Sequence, residues 1–157
     1  MLTAKQYEAI GRMTLAFNGI EQLLDMYLPD ILGNPEPSVA YLVAEKQHSA
    51  TRKMDFLREL LEVICGDRPT VQAEAATVRD LLEKTKEFGR RRNEYVHSYA
   101  FIDYKARKRT LRSKKEVIEC NEKDITDLAT EMDDITVPLS QALHKLMTVL
   151  IKVRCAH

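Results

Sequence analysis

The sequence has no tryptophan, and only five glycines and five prolines among 157 residues. So few turn formers leave room for few connections, and the chain must spend its length in long elements. Cysteine is also sparse: Cys65, Cys120 and Cys155 are odd in number, far apart and never spaced as CxxC. That pattern argues against a disulfide framework or a zinc site and predicts a reducing, cytoplasmic setting. No run approaches the roughly 20 apolar residues that span a bilayer, and the segment Met-Leu-Thr-Ala-Lys-Gln lacks the features of a signal peptide. P-loop, GxSxG, HExxH and dinucleotide fingerprints are absent as well. The expectation is a water-soluble chain with no membrane partner, no metal and no cofactor.

Formal net charge is zero, yet the charge is unevenly spread. Residues 86–115 hold eleven Lys or Arg against three Asp or Glu. Within them, residues 105–115 carry seven basic side chains and no acid. A local cationic surface of this kind can attract a polyanion although the whole chain is neutral. A solvated basic loop with no partner is the plainer alternative. Apolar residues make up 45% of the chain, enough for a real core, and the length fits one domain over residues 1–157.

Hydrophobic spacing predicts four long helices. The first runs from about Thr3 to Leu28, with Ile10, Met13, Phe17, Ile20, Leu24, Tyr27 and Ile31 recurring three and four apart. Thr3 is the expected N-cap, Pro29 weakens the end, and residues 33–37 form a turn. A second helix extends over about Ser38 to Ile64, stopped by Gly66, with Leu42, Ala50, Met54, Leu57, Leu61 and Ile64 on its stripe. Pro69 suits the first turn of a third helix, whose stripe reads Val71, Ala75, Val78, Leu82, Thr85, Gly89 and Val96. The last helix is capped by Asn121 and carries Ile125, Leu128, Met132, Ile135, Leu139, Ala142, Leu146, Val149 and Val153. Its pattern stays in phase past Pro138, which favours a kink over a break. Between the third and last helices, residues 99–104 and 116–120 have the aromatic and β-branched character of strands. The resulting expectation is an all-α fold: an antiparallel four-helix bundle with a β-hairpin inserted over about 99–120, its tip basic.

The segment Arg90-Arg91-Arg92-Asn93-Glu94-Tyr95-Val96-His97-Ser98-Tyr99 carries the chemistry. It resembles the signature of the HEPN superfamily, an Arg often followed by Asn, with a His a few residues later at the end of the third helix. Here Arg92, Asn93 and His97 match it as Arg-x4-His. Tyr99 extends the likeness to the toxins of HEPN–nucleotidyltransferase pairs, and Phe17-Asn18-Gly19-Ile20-Glu21-Gln22-Leu23-Leu24 is similar to the start of many bacterial HEPN proteins. The strand pair after the motif departs from those toxins. It looks more like another bacterial HEPN branch, though Ser98 and the missing Trp depart from that one too.

The resemblance implies a HEPN-like bundle with metal-independent RNA endonuclease activity, in which the 2′-hydroxyl attacks the adjacent phosphate. It further implies a toxin or phage-defence role, a homodimer with its site at the dimer interface, and a cognate antitoxin such as a nucleotidyltransferase. In the toxins the residue matching Tyr99 is where nucleotides are attached, so Tyr99 is a candidate modification site. On chemical grounds His97 suits proton transfer near neutral pH. Arg92 can grip a phosphate through paired charge-assisted hydrogen bonds. Asn93, about 40° from His97 on a helix, can orient ring or phosphate. Arg92 and His97 stand about 140° apart on an ideal helix, so a shared phosphate calls for two motif helices facing each other.

Arg90, Arg91, Lys105, Arg107, Lys108, Arg109, Arg112, Lys114 and Lys115 are the candidate RNA-backbone contacts. Each residue also has a plainer role: His97 as a helix-end histidine, Arg92 as a surface partner of Glu87 or Glu94, Asn93 as an inter-helix hydrogen bond. The rival functional reading is a HEPN bundle without catalysis, acting as an RNA-binding or protein-interaction module.

Overall fold

The computed structural model describes residues 2–33, 36–66, 68–97, 99–103, 108–112, 117–119 and 121–155. Helix α1 (Ala4–Leu32) is followed by a short α2 (Pro37–Glu45), then α3 (Ala50–Cys65), α4 (Pro69–Val96) and α5 (Glu122–Cys155). Three strands, β1 (Tyr99–Asp103), β2 (Lys108–Arg112) and β3 (Val117–Glu119), lie between α4 and α5. The chain is therefore predominantly helical, and none of its described helices is long and apolar enough to cross a membrane.

Helix α1 begins as the sequence predicts. Thr3 and Gln6 form a reciprocal capping box, with Gln6 N–H donating to Thr3 Oγ1 at 3.1 Å and Thr3 N–H donating to Gln6 Oε1 at 2.8 Å. The helix does not end at Leu28 but runs one turn past Pro29. Burial of Leu28, Pro29 and Ile31 holds that turn, and its open carbonyls have donors. Arg154 of α5 donates to Asp30 O at 3.2 Å and to Ile31 O at 2.6 Å. Gly33 closes the helix at φ 61°, where its N–H reaches Pro29 O. A Cβ at Gly33 would enter the Arg154 guanidinium. Gly33→Ala therefore combines left-handed strain with loss of the Arg154 cap, and urea unfolding should show a loss of about 1–3 kcal/mol.

The expected second helix is two helices. Ser49 caps α3 by accepting from Arg52 N–H at 3.3 Å, and residues 46–49 interrupt the helix. Leu42, expected in the core, is exposed on α2, whereas Ala50, Met54, Leu57 and Leu61 of α3 are buried. The stripes of α4 and α5 agree with the sequence. Val71, Ala75, Val78, Leu82, Thr85 and Gly89 are buried on the first, and Ile125 through Leu146 at the expected spacing on the second. Helix α5 passes Pro138 without a break. Asn121 caps it by accepting from Lys123 N–H at 3.0 Å.

The helix directions also differ from the expected alternation. Arg58–Glu83 and Lys86–Asp55 ion pairs set α3 against α4 in opposite directions. The Arg91–Glu131 ion pair at one end, and a groove lined by both Glu74 and Lys145 at the other, show the same for α4 and α5. Yet Arg154 sits at Ile31, and Lys5 and Glu122 line one groove, so α1 and α5 run parallel. The short α2 returns the chain, which lets α3 start again in the direction of α1. Three long helices thus share one direction and α4 opposes them, around one core that includes Phe17, Leu57, Val78 and Leu139.

The expected two-stranded hairpin with a basic loop is replaced by a three-stranded antiparallel arrangement, β1-β2-β3. The basic segment itself supplies the middle strand, with Tyr99 opposite Arg112, Asp103 opposite Lys108, and Leu111 opposite Ile118. Lys105, Arg107, Lys114 and Lys115 lie outside the described residues.

An ion cluster around one buried lysine ties α3 to α1. Lys53 is 7% exposed, and its Nζ lies 3.1 Å from Glu21 Oε1 and 2.6 Å from Asp25 Oδ1. Burial pulls the Lys53 pKa down, but the hydrogen bonds and charges of Asp25 and Glu21 outweigh it, and the pKa stands above the ordinary lysine value. A raised folded pKa makes the contribution complete below the unfolded value of about 10.4 and removes it as pH rises through the folded value. Urea unfolding at pH 8 and pH 11 should show this alkaline loss, and Lys53→Met should lack that component of it.

Candidate active site

The C-terminal end of α4 is built on a close approach to α1. Gly89 faces Phe17, and a Cβ at Gly89 would lie 2.9 Å from Phe17 Cζ. The absent side chain lets α4 settle against the buried ring. One turn on, the Arg92 guanidinium carbon lies 5.4 Å from the centroid of the same ring, within cation–π range. Tyr95 and Val96 are partly buried against the core and fix the last turn.

The three consecutive arginines have different surroundings. Arg90 donates to both carboxylate oxygens of Glu87, at 2.9 and 2.6 Å, and also to Glu94. The Arg90 hydrogen bond holds the Glu87 carboxyl below the ordinary glutamate range. Arg91 crosses to α5, with Nη1 2.7 Å from Glu131 Oε2. Arg92 pairs with no carboxylate among the described residues. Its Nη1 donates to Asn93 Oδ1 at 3.0 Å, and its Nε is buried without an acceptor among the described residues. Glu87 and Glu94, the partners in the plainer role considered for Arg92, pair with Arg90 instead. The reason is spacing: they lie three before and four after Arg90, whereas Arg92 faces Phe17.

His97 is the exposed C-cap of α4, at φ −95° and ψ 7°, with its N–H donating to Asn93 O at 3.0 Å. Asn93 is also exposed, so two of the three motif side chains reach solvent and the third is half-buried. Asn93 further lines a groove of about 480 Å³ between α3 and α4, together with Thr51, Glu83, Lys86, Glu87 and Arg90. Lys86 in that groove is already paired with Asp55 at 2.7 Å. Tyr99 opens β1, and Lys108, Arg109 and Arg112 lie in β2.

The structure therefore brings Arg92, Asn93 and His97 to one helix end, with Arg90 and Arg91 beside them in ion pairs. Phe17 and Gly89 are the positioning residues that motif reading passes over. Phe17 stood in the segment that carried the helix-one resemblance, and Gly89 lay on the apolar stripe. No group of three His, Cys, Asp or Glu side chains among the described residues is placed to hold a metal ion. Comparison with protein-family models, with curated proteins and with solved structures finds no match.

Proposed function

We propose that this chain is a HEPN-type, metal-independent RNA endonuclease with Arg92, Asn93 and His97 at its site. The observation that carries the proposal is the state of Arg92. Alone among the three adjacent arginines it has no acid partner among the described residues, yet it is held by Phe17 and Asn93. A guanidinium fixed in place and without an acid partner among the described residues is suited to a phosphodiester anion and to the added charge of its transition state. His97, exposed at the open helix end, is suited to proton transfer.

In the proposed reaction an imidazole of His97 takes the proton of a ribose 2′-hydroxyl. The O2′–P bond forms as the P–O5′ bond breaks, Arg92 offsets the charge on the phosphate oxygens, and the leaving 5′-oxygen gains a proton. The products are a 2′,3′-cyclic phosphate and a 5′-hydroxyl. Because Arg92 and His97 project about 140° apart on an ideal helix, a homodimer with two facing motifs belongs to the proposal. So do a toxin or phage-defence role in the cytoplasm and an antitoxin such as a nucleotidyltransferase that modifies Tyr99. Lys108, Arg109 and Arg112 are the proposed backbone contacts in β2, and Arg90 and Arg91 must exchange their carboxylates to join them.

A second reading is favoured by the same cation–π contact: Arg92 also fastens α4 to α1, a task that needs no catalysis. On that reading the bundle is an RNA-binding or protein-interaction module. Cleavage of labelled RNA in EDTA separates the two. Cutting with cyclic-phosphate ends that requires His97 and Arg92 supports the nuclease. Salt-sensitive binding without cutting supports the module.

A further inference from the structure

The outer side of α1 and α5, away from α4, carries a row of exposed apolar side chains. Leu15 is 71% exposed and Val137 60%, and they border one groove between the parallel helices. Arg12, Ala16 and Gly19 complete the α1 side, Asp133 and Thr136 the α5 side. About three turns beyond Leu15, on nearly the same face of α1, Met26 is exposed, and Ile151 is exposed about four turns beyond Val137 on α5. Arg12 and Asp133 form no ion pair among the described residues. Gly11 and Gly19 weaken a helix interior relative to alanine, and nothing lies within 4 Å of a Cβ built at either. Packing within the chain does not require those glycines.

We infer that this face is occupied by a second copy of the same chain, related by a two-fold axis running along the groove. Such an axis keeps helix direction, and it lays α1 of each copy over α5 of the other. Since α1 and α5 are parallel and in step, residues at one level are exchanged between copies. Arg12 then meets the partner's Asp133, Leu15 the partner's Val137, and Met26 the partner's Ile151. Cation meets acid and apolar meets apolar at each level, twice by symmetry. Gly11 and Gly19 allow the backbones to approach. An unrelated partner would have no reason to match both helices in register.

The contact goes beyond the proposed nuclease and does not rest on it. Phe17 faces α4 and Leu15 lies about 200° around α1, so the Arg92 end stays uncovered. Pairing of two motif ends would be a separate contact.

Sedimentation equilibrium on the full chain tests the inference, comparing wild type with Leu15→Glu/Val137→Glu. The expected result is a mass halved in the double variant with an unchanged helical circular dichroism spectrum. That holds whether wild type is a dimer through this face alone or a closed tetramer that also pairs its motif ends. Arg12→Asp should weaken the association at least tenfold, and Arg12→Asp/Asp133→Arg should restore it. A wild-type mass of one chain, a mass unchanged by the double variant, or failure of the charge exchange to restore association would each overturn it. Loss of RNA cutting with the mass intact bears only on the nuclease.

Discussion

Replacing His97 with alanine should lower metal-independent RNA cutting by about 10²–10⁴-fold, the usual contribution of a positioned acid–base group. The substitution is clean because His97 is exposed and caps α4 through its backbone N–H, which alanine keeps. Folding and assembly should match wild type, so the loss reports chemistry. Arg92→Ala should cost about 10²–10³-fold through the lost phosphate contact, with some loss of stability from the vacated face of Phe17. Arg92→Lys should not restore the rate, because a lysine has neither the planar fork nor the ring-stacking surface of the guanidinium. Arg90→Gln is the informative control. Arg90 is occupied by Glu87 and Glu94, so its loss should change cutting by only about a few-fold. Initial rates on a short labelled RNA in EDTA measure all four. Equal activity across them would remove the assignment of the site.

The second large effect concerns Phe17. Phe17→Ala should destabilise the chain by about 3–5 kcal/mol in urea unfolding, since it removes a buried ring and opens a cavity beneath α4. Gly89→Ala alone should also destabilise, because its Cβ would stand 2.9 Å from Phe17 Cζ in a packed environment. The pair should not add. Phe17→Leu removes the ring atoms that Gly89→Ala meets, so the double variant Phe17→Leu/Gly89→Ala should be more stable than the sum of the two losses. A coupling of about 0.5–3 kcal/mol is expected for contacting residues. Additivity would mean that α4 and α1 do not meet through this ring. Phe17→Leu has a further readout: the fold survives but the aromatic face under Arg92 is gone, so RNA cutting should fall more than stability does.

Much of this architecture can be read from spacing because the core is made at helical intervals. The stripes of α4 and α5 are uninterrupted, and their buried residues follow from period alone. The break between α2 and α3 is different. Residues 46–49 contain neither Gly nor Pro, and Ser49 is followed by Arg52 rather than by an acid that would complete a capping box. The chain turns there because Ala44 and Ala50 are both buried, a tertiary reason with little local signal. Leu42 is exposed for the same cause: once the helix is split, its face no longer points at the core. β2 was hidden by charge, since a run of Lys and Arg reads as a solvated loop even when alternate pairing partners exist on both sides.

At the candidate site the residue types were legible and their states were not. Sequence offered Glu87 and Glu94 to Arg92; the structure gives them to Arg90, and gives Glu131 of a different helix to Arg91. Which of three neighbouring arginines has no acid partner among the described residues is decided by a ring 75 positions earlier in the chain, at Phe17, together with the approach that Gly89 permits. Spacing along one helix carries no information about either.

The parallel seating of α1 and α5 sets a constraint on synthesis. Helix α1 cannot finish covering its stripe until α5 arrives, because Met13, Ile20 and Leu24 share a core with Leu139, Leu143 and Leu146. At a synthesis rate of about 5–20 residues per second, the part of that stripe that faces α5 therefore waits uncovered while residues 33–121 are made. A chain cut short before residue 122 would leave the same surface permanently open. For such a protein a truncated product is not a smaller version of the fold but a sticky intermediate, and quality control would meet it as one.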